Sequence, residues 1–395
     1  MADFNRTRAL FHIPEGVSYL DGNSLGPMPL AAADRAAAVI RDEWGGQLIG
    51  GWNSAGWYVQ PRRVGDRIAR LIGAGPGEVV MGDTLTVKVF QAVSAALKLA
   101  SARRNVVLSD SGNFPSDLYA VQGLSAMGAE LRVVAPEEVE AAIDESIAVL
   151  MLTEVDYRTG RRHDMPALTA KAHAAGAIAV WDLAHSAGAV DVDVTSGDAD
   201  FAVGCSYKYL NGGPGAPAFI WANPRIAAEA QPILQGWMGH DAPFDFVTDY
   251  RPAGGIERMR VGTPPVIAMS ILDAALDAFD GITMAEIRAR SIELSQRFIA
   301  GVEAACPGLR LNSPRDPMAR GSQVSFCHDE AYAVMQALIA RGVVGDYRAP
   351  DVLRFGFTPL YLNEGDVDRA VSIISEVLDT GAWDRPEFKQ RQAVT

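Results

Sequence analysis

The sequence predicts an α/β protein with a mostly parallel central sheet in a large unit and a smaller α+β unit at the C-terminal end. Three observations carry this. Short, continuous apolar runs recur between residues 79 and 221, each bounded by turn residues. Segments with helical spacing lie between them, which is the pattern of a parallel sheet covered on both faces. Near residue 265 the pattern changes, because Pro264-Pro265 stops a loop and two long amphipathic segments follow. Length agrees, since 395 residues exceed what one small core organises.

Residues 1–30 read as an irregular arm with turn signals at Asp21-Gly22-Asn23 and Gly26-Pro27. Residues 31–265 form the expected large unit. It opens with an alanine-rich helix at 31–44, a loop of glycines and tryptophans at 45–56, and a helix at 61–72. Strands are expected at 79–81, 105–108, 131–134, 148–152, 178–181, 201–204 and 218–221. Helices fill the intervals at 86–100, 116–127, 137–143 and 166–175. Residues 266–395 form the expected small unit, with helices at 266–279, 284–304, 331–341 and 365–379 and strands at 323–326 and 352–357. The polar tail at 382–395 is expected to fray.

Composition narrows the function. Hydrophobic residues at 49% and charged residues at 21% describe a globular chain. A net charge of −13 would repel a phosphate backbone, so no nucleic-acid partner is expected. Cys205, Cys306 and Cys327 form no close pair, and neither they nor the histidines show metal-ligand spacing, so no metal is expected. So few cysteines, in odd number, point to a reducing compartment. With no secretory leader and no membrane-length apolar run, the expectation is a cytoplasmic protein without a membrane partner.

The chemistry gathers at Cys205-Ser206-Tyr207-Lys208-Tyr209-Leu210-Asn211-Gly212-Gly213, a lysine between an apolar run and a glycine-rich turn. Upstream, Asp182 ends the apolar run Val180-Trp181. Alone, each is more often an edge lysine or a capping aspartate. Together, in this order, they suit pyridoxal phosphate: the lysine holds the aldehyde as a Schiff base, and the carboxylate keeps the pyridine nitrogen protonated. Other polar groups sit at expected strand ends, where ligands of open α/β sheets bind. Thr86 opens a helix whose free amides can cradle phosphate, although an ordinary N-cap is the commoner use. Phe114, held extended by Pro115, can stack on a planar ring or simply cover the core, with Ser116 or Asp117 capping the next helix. Thr153 points into the same crevice. His185 can hydrogen-bond the cofactor's phenolate oxygen or be a satisfied loop histidine. The Tyr207 hydroxyl can bind phosphate, or carry a proton if nearby cations lower its pKa. Arg354, in an apolar strand, needs an anionic partner: a substrate carboxylate or, more commonly, a structural ion pair.

These segments resemble kynureninase, of the fold-type-I, class V pyridoxal-phosphate enzymes. The resemblance rests on Tyr19-Leu20-Asp21-Gly22-Asn23-Ser24-Leu25-Gly26, Asn113-Phe114-Pro115-Ser116-Asp117, Asp182-Leu183-Ala184-His185 and Ser206-Tyr207-Lys208-Tyr209-Leu210-Asn211. Gln235-Gly236-Trp237-Met238-Gly239-His240 and Thr358-Pro359-Leu360-Tyr361 follow in order, so it spans about residues 10–380. It implies the fold-type-I transferase-like fold, a pyridoxal-phosphate cofactor, and hydrolysis of L-kynurenine, or its 3-hydroxy form, to anthranilate or 3-hydroxyanthranilate and L-alanine. The pathway implied is tryptophan catabolism, leading toward NAD biosynthesis. Lys208 would bind the cofactor and act as base, Tyr207 would protonate the β-carbon, Asp182 would pair with the pyridinium, and Phe114 would stack. Thr153 and His185 would contact ring substituents, while Leu85, Thr86, Pro115, Ser116, Asp117 and Tyr207 would line the phosphate side. Trp237 and Thr263 match cofactor positions that the neighbouring subunit can supply, so a homodimer with shared sites is implied. Arg354 would grip the substrate carboxylate, and Trp52 or Trp57 would meet the aryl ring.

Other functions fit the same fold. A cysteine desulfurase or selenocysteine lyase needs a mobile cysteine before the final arginine strand, where Gly345-Asp346-Tyr347-Arg348-Ala349-Pro350 has none. An aminotransferase shares much of the chemistry. A catalytically silent binding protein would not need Lys208, Asp182, Tyr207 and Arg354 together.

Overall fold

The computed structural model describes residues 2–101 and 103–392. Its strands, in chain order, are β1 (Ser18–Tyr19), β2 (Val79–Met81), β3 (Val106–Asp110), β4 (Glu130–Val134), β5 (Ile147–Thr153), β6 (Ile178–Asp182) and β7 (Phe201–Gly204). There follow β8 (Phe219–Ala222), β9 (Arg310–Leu311), β10 (Gln323–Cys327), β11 (Val343–Val344), β12 (Asp346–Arg348) and β13 (Val352–Gly356). Seven of them form one sheet in the order β2-β8-β7-β6-β5-β3-β4. Only β8 runs against its neighbours; the β7-β6-β5-β3-β4 block is parallel.

The period-2 alternation of strand side chains explains the two apolar layers. Val80, Val107, Val149, Val180 and Val203 face the helix Leu85–Leu99, which presents Val89, Ala92, Val93 and Ala96 to them. Their neighbours Met81, Leu108, Leu150, Trp181 and Ala202 face the opposite layer with Ile68, Leu168 and Leu272. A sheet buried on both faces needs nearly all its strand residues apolar, and all seven residues of β5 are buried. The helix Val266–Ala275 packs on the helices Leu30–Ala38 and Gln60–Ala69. Asp273 ties it there through Arg63 and Arg67.

The C-terminal sheet has the order β12-β13-β10-β9 and is antiparallel throughout. Its helices Met284–Ala305 and Glu364–Asp379 both begin with capping boxes, Thr283 with Glu286 and Asn363 with Asp366. The N-terminal arm is more ordered than the sequence suggests. Asp3 caps a short helix, Phe4–Arg8, and β1 pairs in parallel with β11. The arm then crosses to the large unit, where Gly26 N donates to Tyr207 O at 2.8 Å. A Cβ on Gly26 would fall 2.6 Å from Lys208 O, so only glycine permits this approach.

Two expectations are corrected. Residues 45–54 form three short helical turns, Gly45–Gln47, Leu48–Gly50 and Gly51–Ser54, instead of a loop. Gly51 allows this because the Trp57 ring fills the space where a Cβ would stand, and Trp57 Nε1 donates to Glu43 Oε2 at 2.8 Å. The tail does not fray through residue 392. Trp383 and Phe388 pack on the core, and Tyr332 Oη donates to Gln390 O at 2.9 Å. The last part of that expectation, residues 393–395, lies outside the described residues.

Candidate active site

The carboxyl ends of β5 and β6 open onto a cavity of about 340 Å³. Nine residues singled out from the sequence line it: Leu85, Thr86, Phe114, Ser116, Thr153, Asp182, His185, Tyr207 and Lys208. Thr153 and Asp182 end their strands in register, so their side chains emerge side by side. Thr153 Oγ1 lies 3.4 Å from Asp182 Oδ2 and also bonds Asn113 Oδ1, while Ala184 N donates to Asp182 Oδ1 at 2.8 Å. Burial pushes the Asp182 carboxyl up from the ordinary carboxylate range, against the pull of the Lys208 ammonium. Asp117 lies beside it, wholly buried, with no donor opposite either oxygen. Burial and the Asp182 charge drive Asp117 well up, which favours its protonated form.

Lys208 lies across the cavity. Its Nζ is 3.0 Å from His185 Nε2 and 5.9 Å from the centre of the Phe114 ring. Phe114 is 43% exposed, unusual for a phenylalanine fixed at a helix start, and leaves an aromatic face open to a planar ligand. Its backbone is extended before Pro115, as the proline demands. The Tyr157 ring meets it edge-on at 5.2 Å.

The donor chemistry fits pyridoxal phosphate. The helix Leu85–Leu99 begins at Thr84 and the helix Pro115–Gly123 at Phe114, and neither first turn has a side-chain cap. Both N-termini reach the cavity through Thr84, Leu85, Thr86 and Ser116, so free amides and hydroxyls are available to an anion. A lysine for the aldehyde, a flat aromatic face and a buried carboxyl complete the set.

One expectation about Tyr207 is reversed. Its hydroxyl is pushed up, chiefly by burial and then by the Cys205 thiol, with Asp182 and Asp117 adding to it. Burial leads, so the phenol stays protonated at neutral pH.

The remaining residues singled out from the sequence lie outside this cavity lining. Arg354 is buried in the small sheet. Its Nε donates to Asp346 Oδ1 at 2.7 Å, Nη2 bonds Asp346 Oδ2, and Nη1 bonds Tyr157 O. Trp57 is buried against Trp52, their rings 6.0 Å apart. Pro115 occupies the first turn of its helix, where no N–H is needed. Trp237 is 39% exposed among Phe244 and Phe246, and Thr263 is exposed. Sequence reasoning missed Tyr157, Gln323 and Asp346. Tyr157 follows the end of β5, as the other lining residues end or follow strands, and that position was its signal. Gln323 and Asp346 lie in short strands from another part of the chain, and only the demand of Arg354 for an anion pointed toward one of them.

A family model described as the kynureninase C-terminal domain matches residues 287–374. The kynureninase of Pseudomonas fluorescens is 50% identical over 397 residues, covering 98% of this chain and 95% of that protein. The kynureninase of Burkholderia pseudomallei (strain K96243) is 51% identical with the same coverage. Among solved structures, the apo cysteine desulfurase of Thermococcus onnurineus NA1 superposes with a TM-score of 0.80 at 19% identity, covering 96% of this chain and 99% of that one. A lyase mutant with glycine covalently linked to its PLP cofactor gives 0.77 at 16% identity, covering 95% and 100%. These two share the fold. With half its residues identical to kynureninases along nearly its whole length, the chain belongs to the kynureninase family.

Proposed function

We infer that this chain is a pyridoxal-phosphate-dependent hydrolase that cleaves the Cβ–Cγ bond of L-kynurenine, releasing anthranilate and L-alanine. One observation carries the reading: Lys208, Phe114 and Asp182 converge on one cavity with two uncapped helix N-termini, in a chain of this family. When bound, pyridoxal phosphate supplies an electron sink for charge released at the substrate.

The chain's own residues would do the rest. Leu85, Thr86 and Ser116 hold the phosphate with backbone and hydroxyl donors, with Asp117 and Pro115 shaping that turn. Phe114 covers one face of the ring, and Asp182 anchors its nitrogen. Thr153 and His185 orient its substituents. Lys208 Nζ holds the aldehyde and moves the substrate's α-proton. Tyr207, kept protonated by its surroundings, donates to the β-carbon. Arg354, fixed in orientation by Asp346, faces the substrate carboxylate.

A homodimer with shared sites is part of this reading. Trp237 and Thr263 lie outside the chain's own cavity, as expected of residues that serve a neighbouring subunit. Trp237, Phe244 and Phe246 form an exposed aromatic cluster, and Trp44, Leu48 and Ile49 are exposed nearby in sequence to Trp52. Apolar surface of this kind favours burial against another chain. We place the aryl wall at Trp52 and Trp57 and accept 3-hydroxy-L-kynurenine as a second substrate. The two units divide at residue 266, with 1–30 as the arm. The setting is cytoplasmic tryptophan degradation toward NAD, which suits three buried, unpaired cysteines. Among the described residues, no helix is long and apolar enough to cross a membrane.

Desulfuration is disfavoured because Cys205, Cys306 and Cys327 are all buried, with Cys327 ending β10. The deciding experiment follows anthranilate fluorescence after L-kynurenine is added to cofactor-loaded enzyme. Release of sulfide from cysteine, with no anthranilate, would overturn the reading. Sedimentation of the loaded enzyme tests the dimer.

A further inference from the structure

Gln323 lies at the start of β10, in the C-terminal sheet, yet its side chain reaches His185, a residue of the cavity wall in the large unit. It is wholly buried. Its Nε2 donates to Asp156 O at 2.9 Å, and its Oε1 lies 2.9 Å from His185 Nδ1. A carbonyl can only accept, so the amide nitrogen must face Asp156 and the amide oxygen must face His185. That oxygen also can only accept. His185 Nδ1 therefore carries the hydrogen, and Nε2, 3.0 Å from Lys208 Nζ, presents a lone pair.

The turn that fixes Gln323 is itself rigid. Asp156 Oδ1 accepts from Arg158 N at 2.9 Å, Thr159 N at 2.6 Å and Thr159 Oγ1 at 2.8 Å. Gly160, at φ +74°, closes the turn against Gln323, and a Cβ there would stand 2.9 Å from Gln323 O. The next carbonyl of the same turn, Tyr157 O, takes Arg354 Nη1. One turn thus sets both His185 and the buried arginine.

We propose that Gln323 is a positioning residue that locks His185 in the Nδ1–H tautomer, making Nε2 an obligatory acceptor toward Lys208. The lock has two parts. Flipping the amide would set its oxygen against Asp156 O, so the other neutral tautomer loses its partner. The imidazolium is opposed by burial and by the cations that face the ring: Lys208 first, then Arg354 and Arg348. Lys208 in turn faces Asp182, Asp117, Tyr207 and Cys205, so His185 supplies it with a neutral acceptor among acids.

This rests on the cofactor assignment above, and the test separates the two. In cofactor-loaded enzyme labelled with ¹⁵N-histidine, the His185 ring should show a protonated Nδ1 and an unprotonated Nε2 across neutral pH. The reverse pattern, or an imidazolium, overturns the proposal without using any variant. Gln323→Leu removes the acceptor at similar volume. We expect the leucine variant to lose the Nδ1–H signature and shift the pH midpoint of the bound cofactor's visible band. Its kcat should fall about 10–100-fold, the usual cost of losing such a partner, with KM changed less. A leucine variant that matches the parent in all three readouts refutes the role of Gln323 and leaves the cofactor assignment intact. A parent enzyme that shows no cofactor band refutes that assignment instead.

Discussion

Asp346 and Arg354 face each other in register across β12 and β13, and their side chains close a two-point ion pair with the arginine only 1% exposed. The pairing fixes the guanidinium plane before any substrate arrives. Arg348 shares the same carboxylate at 2.7 Å and also reaches Ser24 Oγ at 3.3 Å, which joins the N-terminal arm to the cluster. Asp21 adds a second carboxyl, pushed well up by burial and by the Asp346 charge, so it contributes little negative charge. Two arginines against one ionised carboxylate leave a net positive cluster, which suits a substrate carboxylate.

Replacing Asp346 should therefore do more than remove a contact. Asp346→Ala leaves Arg354 buried with only a carbonyl partner, and breaking a buried pair in this way costs about 3–5 kcal/mol. The urea midpoint should drop accordingly. KM for L-kynurenine should rise more than kcat falls, because the guanidinium loses its fixed orientation. An unchanged midpoint and KM would show that Arg354 does not depend on Asp346.

Tyr207 yields a pH prediction. Its phenol is held protonated by burial and by the Cys205 thiol, with the nearby acids adding to the effect. Its ionisation thus lies above the working range and does not shape the alkaline limb of the rate profile. Tyr207→Phe should lower kcat by about 10²–10⁴-fold, the usual worth of a positioned general acid. The midpoint of the alkaline limb should stay in place, and the cofactor band should persist. A limb that vanishes in the variant would mean Tyr207 titrates where the structure says it does not.

The site was legible in the sequence where chemistry coincides with strand ends. Lys208, Asp182, Thr153 and Phe114 each follow a short apolar run, and parallel topology alone brings such positions together. Gln323 was not legible as a site residue, because Gln323 and Ser325 alternating with Val324 and Phe326 mark one face of the strand but not what that face meets. The two-residue β1 and β11 escaped notice for a different reason. Each is held by its partner from a distant segment, and neither has a periodic pattern of its own. Asp117 read as part of the phosphate side, or as a helix cap; the structure turns it inward against Asp182, a choice made by packing.

At the opposite end of the sheet, His173 offers a stability probe that leaves the cavity untouched. Its Nε2 lies 2.8 Å from Asp200 Oδ2, and this hydrogen bond raises its pKa over the cost of partial burial. A histidine raised in the folded state stabilises it fully below its unfolded pKa of about 6.5 and loses that contribution as pH climbs through the folded value. Parent and His173→Gln should differ most at mildly acid pH and converge in alkali. The gap should be about 1 kcal/mol or less, shrinking with added salt, because the ring is partly solvated. Equal unfolding midpoints at acid pH would dismiss the pair, and activity should be unchanged throughout.

Asp117 predicts a pH trend of the same sign, but here the variant is the more stable form and the gap opens at neutral pH. Its carboxyl is raised by burial and by Asp182, so the folded chain binds a proton that the unfolded chain has released above about pH 3.9. The folded state then loses stability as pH rises through that window, whereas an amide of the same shape carries no such penalty. In cofactor-free enzyme, Asp117→Asn should melt at a higher temperature than the parent at neutral pH, and the advantage should close on acidification. Removing the cofactor is essential to the comparison, because a bound cation near Asp182 changes which carboxyl keeps the proton. Melting curves that stay parallel from acid to neutral pH would show that Asp117 is ionised in the folded chain, and the raised carboxyl at the base of the cavity would have to be abandoned.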